Sequence, residues 1–114
     1  MTAEHVRILV VVGKNGQKAL DCIAKLANRG LRGEVYLFYV ENVEPYPAEF
    51  LIELEKGGYN KIKEKGMKIL NELAEKIKDM GLDVKILDTY CLTAAEDILK
   101  LKKQIDPDFI IIDF

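Results

Sequence analysis

The 114-residue chain contains no serine and no tryptophan, a single histidine and only two cysteines. Each shortage closes a class of chemistry. Without serine there is no Ser-His-Asp hydrolase. One histidine, His5, cannot form an H-x-x-x-H zinc pair or a multi-histidine metal cage. Cys22 and Cys91 lie far apart with no C-x-x-C, which removes both a zinc ribbon and a thioredoxin-type redox pair. No apolar run approaches the roughly 18 residues needed to span a bilayer, and the first residues carry Glu4 and no signal-peptide core. Positive charge is not in excess either: 17 Lys and Arg stand against 19 Asp and Glu, for a net charge of −2. A protein that neutralises many phosphates carries a strong basic surplus, so general nucleic-acid binding is not expected. Two cysteines without a secretion signal fit a reducing compartment. The expectation is a cytoplasmic protein that engages neither nucleic acid nor membrane.

What is present is apolar and charged in equal emphasis. The apolar fraction is 49%, enough for a core within one domain spanning residues 1–114, and charged residues reach 32% against a typical value of about 25%. Fourteen of the 17 basic residues are lysine, a thermophile-like balance.

Two kinds of segment alternate. Runs at 6–12 (Val-Arg-Ile-Leu-Val-Val-Val) and 109–113 (Phe-Ile-Ile-Ile-Asp) are β-branched and apolar at successive positions, as expected of central parallel strands covered on both faces. Residues 34–40 form a third strand after the Gly30 and Gly33 turn, and 83–89 alternates in the manner of a half-exposed edge strand. Between them, helices are predicted over 16–29, 59–80 and 93–105. The first places Ala19, Leu20, Ile23, Ala24 and Ala27 on one face with Gly30 beyond its end. The second repeats Ile62, Gly66, Ile69, Leu70, Leu73, Ile77 and Met80 at steps of three and four, and its Lys/Glu outer face reads as a solvated surface. The third carries Thr93 and Glu96 in capping-box positions and is stopped by Asp106-Pro107. A connection over 41–58, with Pro45, Pro47 and Gly57-Gly58, is expected to hold a short helix at 48–56. Alternation of this kind means an α/β domain with a parallel sheet.

In order and spacing, these strands and helices resemble the universal stress protein (UspA-like) domain. The features that carry it are Ile8-Leu9-Val10-Val11-Val12, the loop into Lys18-Ala19-Leu20, Val35 to Val40, the charged helix ending in Met80-Gly81-Leu82-Asp83-Val84, and Ala95-Glu96-Asp97-Ile98-Leu99 followed by Asp108 to Ile112. The resemblance implies a three-layer α/β/α fold, adenine-nucleotide alpha-hydrolase-like, with a four-stranded parallel sheet in the order 3-2-1-4. It also implies departures. ATP-binding members carry an Asp at the end of the first strand, where this chain has Gly13, and a Gly before the third helix, where it has Cys91-Leu92-Thr93. They carry a Gly-x-x-Gly-x9-Gly-Ser/Thr stretch after the fourth strand, where this sequence reads Asp113-Phe114 and stops. The expectation is a C-terminally shortened relative that does not bind ATP tightly; the alternative is a fragment of a longer protein.

With that strand order the right-handed crossover rule puts the first two helices on one face and the third alone on the other. Part of the second face should be bare, and the strand carrying Phe109, Ile110, Ile111 and Ile112, with Phe114 after it, should be an apolar edge. Such edges are seldom left open, so a homodimer or a protein partner is expected there.

The candidate ligand site is the loop Gly13-Lys14-Asn15-Gly16, between the first strand and first helix at the topological switch point of the sheet. Its plain reading is a tight turn; its functional reading is an anion or nucleotide held by helix amides and Lys14. It is not a Walker loop. Asp113 faces the same crevice, as a ligand for a cation or ribose hydroxyl or, on the plainer reading, as a solvated carboxylate. Asp88 lacks the acidic pair a phosphoacceptor needs. Cys91 opens a helix with no histidine near it in sequence, Cys22 reads as a small packing residue, and Tyr36, Phe38 and Tyr39 read as core. His5 lies at the edge of the sheet opposite the crevice. No catalytic residue or metal site is expected and no cofactor is required; weak ATP, ADP or phosphate binding is the most the loop promises. The reading is a small non-catalytic binding or signalling module, the alternative a nucleotide-binding stress protein or weak ATPase completed by a partner chain.

Overall fold

A computed structural model describes residues 5–13, 16–40, 59–87 and 94–113. Within them the elements run β1 (His5–Val12), α1 (Gln17–Asn28), β2 (Arg32–Tyr39), α2 (Tyr59–Lys78), β3 (Asp83–Ile86), α3 (Ala94–Ile105) and β4 (Phe109–Asp113). The four strands are parallel in the order β3-β2-β1-β4, as expected. The bounds differ from the sequence reading at strand ends. β2 begins two residues earlier, and β3 stops at Ile86, although Leu87 still donates its N–H to the Leu37 carbonyl at 2.8 Å. The helix expected at 48–56 and the Thr93 cap lie outside the described residues.

β1 is the middle of the structure because both faces of its sequence are apolar. Ile8, Val10 and Val12 point to one side, Leu9 and Val11 to the other, and all five are fully buried. The first face meets α1 through Ala19, Leu20, Ile23 and Ala27 and α2 through Leu70, Leu73, Ala74 and Ile77. The second meets Leu101 and Ile105 of α3. This is the two-against-one arrangement that right-handed crossovers dictate for a 3-2-1-4 sheet.

The helix ends follow local rules. α1 closes in a Schellman motif: Gly30, at φ 92°, donates to the Ala27 carbonyl at 3.0 Å, and Leu31 donates to Leu26 at 3.1 Å. α3 closes with Asp106 in the left-handed region at φ 51°, directly before Pro107. Inside α2, Gly66 is required by space. A Cβ there would stand 2.5 Å from Cδ1 of Tyr39, so the helix reaches β2 over an aromatic ring that fills the missing side chain's place.

Candidate functional site

The predicted ligand loop lies where β1 ends and α1 begins. Gly13 follows β1, and its N–H donates to the Asp113 carbonyl at 2.8 Å, carrying the β1–β4 ladder one step past Val12, which pairs with Asp113. Gly16 then takes the N-cap position of α1 with φ 75° and ψ 14°. That left-handed conformation favours glycine, and a Cβ at Gly16 would in addition come within 2.5 Å of Leu73 Cδ1. Lys14 and Asn15 lie outside the described residues, so of the predicted loop the structure places Gly13 and Gly16.

A glycine N-cap has no side chain with which to satisfy the first amides of its helix. The first turn of α1 holds no acidic residue either. The cap comes from the other end of the sequence: Oδ2 of Asp113 accepts a hydrogen bond from the Ala19 N–H at 3.1 Å, across 94 residues. Ala19 is the third residue of α1, the position a local Ser, Thr or Asp cap would serve. Asp113 is 8% exposed, so the solvated carboxylate of the plainer sequence reading is corrected. Its alternation on β4 turns it toward the same face as Phe109 and Ile111, under α1, where the unmet amide is its hydrogen-bond partner. Its carboxylate complements the positive end of the helix dipole, worth about 0.3–2 kcal/mol depending on burial.

Of the remaining strand residues, Phe109, Ile110 and Ile112 are 46%, 37% and 54% exposed, and Leu99 on α3 is 58% exposed. Ile111 is half-buried and packs on the larger core. Ile110 and Ile112 share the α3 face of the sheet with Leu9 and Val11, to which they pair. α3 covers the β1 residues and leaves the β4 residues open. Among the described residues no strand pairs with the outer side of β4. Phe114 lies outside the described residues.

At the opposite edge of the sheet is a polar network that sequence reasoning missed. Arg7 donates through Nη1 to the Ile105 carbonyl at the end of α3 (3.0 Å) and through its backbone N–H to Oδ2 of Asp108 (2.9 Å). Its Nε also lies 3.8 Å from Oε2 of Glu34, which accepts the Tyr36 hydroxyl proton in a short hydrogen bond. That bond holds the Glu34 carboxyl below its usual pKa of 4.5 and pushes the Tyr36 phenol above its usual 10.0. Lys85 Nζ stands 5.6 Å from the centre of the Tyr36 ring. Tyr36 is thus only partly core, whereas Phe38 and Tyr39 are buried as expected. The cross-strand register Arg7↔Glu34 is the signal that finds this network, and it requires knowing which strands pair. The network ties α3 to the sheet. His5 is exposed at the first position of β1, at this same edge and away from the crevice.

Cys22 is exposed on α1, which corrects its reading as a packing residue. Asp88 and Cys91 lie outside the described residues. Among the described residues no group of three or more His, Cys, Asp or Glu side chains gathers as a metal site would require, and no helix is long and apolar enough to cross a membrane.

No family model and no curated protein sequence matches the chain. Solved structures do. A protein of the universal stress protein family from Burkholderia pseudomallei matches with a TM-score of 0.61 at 17% identity, over 96% of this chain and 82% of that one. A structure of the universal stress protein from Archaeoglobus fulgidus matches with a TM-score of 0.54 at 17% identity, over 95% and 74%. Another from that organism, in complex with dAMP, matches with a TM-score of 0.51 at 17% identity, over 95% and 80%. The chain has the α/β fold of the universal stress proteins.

Proposed function

We propose that this chain, built on the universal stress protein fold, works in the cytoplasm as a small non-catalytic binding and signalling module of that type. Its working surface is β4. The observation that carries the reading is the exposure of Phe109, Ile110 and Ile112 on an edge strand. Ile110 and Ile112 on the α3 face and Phe109 on the other leave large apolar side chains along a strand whose outer edge pairs with nothing among the described residues, an edge that proteins normally cover. A second copy meets the need simply: two β4 edges pairing antiparallel about a two-fold axis present the same residues to each other, a self-complementary contact. Sedimentation of the purified chain at micromolar concentration tests this. A dimer that dissociates on the double substitution Ile110→Lys and Ile112→Lys supports it; a wild-type monomer that binds no hydrophobic dye refutes it.

The dAMP complex of a structural neighbour favours a second activity on the same module: weak binding of a nucleotide or other anion in the crevice between Gly13, Gly16 and Asp113. Calorimetric titration with AMP, ADP, ATP and phosphate is expected to give weak affinity for at least one of them and no ATP consumption. Flat heats at millimolar ligand would remove this part of the reading, and ATP turnover lost on Lys14→Ala would replace it with an enzyme.

A further inference from the structure

The three helices are not held equally. α2 buries Leu70, Leu73, Ala74 and Ile77, none more than 4% exposed, and α1 adds Ala19, Leu20, Ile23 and Ala27 to the same core. Over residues 98–105, α3 buries only Leu101 and Ile105, each 9% exposed, with Ile98 half-buried on the same cluster. An element with so few buried contacts opens more readily than the rest of its fold. Arg7 compensates. Its guanidinium donates to the Ile105 carbonyl at 3.0 Å, one of the carbonyls that a helix leaves unpaired at its C-terminus. Its backbone holds Asp108 by two bonds: the Arg7 N–H donates to Oδ2 of Asp108 at 2.9 Å, and the Asp108 N–H donates to the Arg7 carbonyl at 2.8 Å. One residue thus grips the end of α3 with its side chain and the approach to β4 with its main chain. Between the two grips lie Asp106, at φ 51°, and Pro107.

On the α3 face, Leu9 and Val11 stand in register with Ile110 and Ile112 of β4 on one side and with Tyr36 and Phe38 of β2 on the other. Two rows therefore run across three strands; α3 covers Leu9, Val11 and Phe38 and leaves Ile110 and Ile112 open. We propose that α3 is a releasable cover. Clasped by Arg7 and pivoting at residues 106–107, it lifts as a unit while the sheet, α1 and α2 stay folded, and its release extends the apolar surface of β4 onto Leu9, Val11 and Phe38. The lifting is a property of the fold by itself; its use in widening a contact surface rests on the reading of β4 as the working surface, and it adds the regulation of that surface.

The test is native-state hydrogen exchange on the full chain at one low protein concentration, comparing the backbone amides of α3 with those of α2. In wild type the α3 amides are expected to exchange at least about tenfold faster than the α2 amides. Ile23→Val weakens only the core beneath α1 and α2, so it should speed α2 exchange about three- to tenfold and leave α3 exchange within about twofold of wild type. Arg7→Met keeps the aliphatic stem and removes the bond to Ile105, so it should speed α3 exchange about three- to tenfold. Exchange of α3 as slow as that of α2, rising equally with it in Ile23→Val, would show that α3 opens only when the whole chain unfolds and would overturn the cover. Unchanged α3 exchange in folded Arg7→Met would overturn the clasp. Should Arg7→Met fail to fold, wild type and Ile23→Val decide between a cover and global unfolding. Self-association through β4 is read separately by sedimentation, so failure of the cover and failure of that reading are distinguished.

Discussion

On one face of the sheet, Ile8, Val10 and Val12 lie beneath two helices; on the other, Leu9 and Val11 of the same strand lie beneath one. The first face gathers sixteen buried apolar residues into a continuous core, the second six, among the described residues. Over Ile8–Val12 the strand is apolar on both sides, so that stretch does not explain the difference, although His5 and Arg7 at its start fall on the face with the smaller core. The cause is the route of the chain. Two crossovers run in one direction and place α1 and α2 together; the third returns across β1 and places α3 on the other face, where it is alone among the described residues. The closed face stabilises the domain. The open one presents apolar surface at β4 and, at the N-terminal ends of the strands, a polar network in which Arg7 bonds the end of α3 and meets Glu34 of β2.

Substitutions should separate the two faces. Truncating the closed face costs most: Leu70→Ala and Ile23→Ala should each lower stability by about 2–5 kcal/mol, read as a fall in the denaturant midpoint. Leu101→Ala on the open face, 9% exposed, should cost about 2 kcal/mol, the lower end of that range, and equal losses on both faces would break the comparison. Next comes Gly66→Ala. A methyl group 2.5 Å from Cδ1 of Tyr39 cannot be accommodated without movement, so the variant should lose about 1–3 kcal/mol. In an open helix the same change gains about 0.5–1 kcal/mol, so a gain here would show that α2 does not press on β2. Ile112→Lys, at a position 54% exposed, should change monomer stability by no more than about 0.5 kcal/mol while weakening self-association.

The smallest effect is a pH dependence. Glu34 titrates below 4.5 in the folded chain because the Tyr36 hydroxyl bonds its carboxylate. A carboxyl with a lowered folded value stabilises above its unfolded value, and loses that contribution as pH falls through the folded one. The phenol has its value raised above 10.0 by the same bond, so its contribution is present below that pH and lost as pH rises through the raised value. Tyr36→Phe should therefore differ most in stability from wild type across the neutral range and converge with it in acid. A difference that persists unchanged below the folded Glu34 value would mean the bond is not its source.

The strand order and the division of helices between faces were legible because they rest on periodicity and crossover handedness. Val10 and Val11 already declare a strand buried on both sides, and Leu70, Leu73 and Ile77 declare a helix face. The site was less legible. Asp113 reads as a solvated carboxylate until the β1–β4 register sets it beside Val12 under α1. The clue available in the sequence is indirect: Gly16 leaves α1 without a local cap, so some other group has to supply one. Arg7 and Glu34 gave no sign of meeting, since their contact depends on which residues stand opposite in neighbouring strands. Cys22, placed among apolar helix positions, proved to lie just off the buried stripe of Ala19, Ile23 and Ala27. A periodicity that is correct to within one residue still leaves the edge of a helix face undecided.

The claim that β4 is the working surface is tested most directly by hydrogen exchange. Protection of the backbone amides in the segment 109–113 is measured in the full chain at low and at high protein concentration. If a second copy covers the edge, protection of this segment rises with concentration while that of β2, already paired on both sides by β1 and β3, stays constant. Protection of 109–113 that is the same at both concentrations, in protein that remains monomeric throughout, would contradict the account.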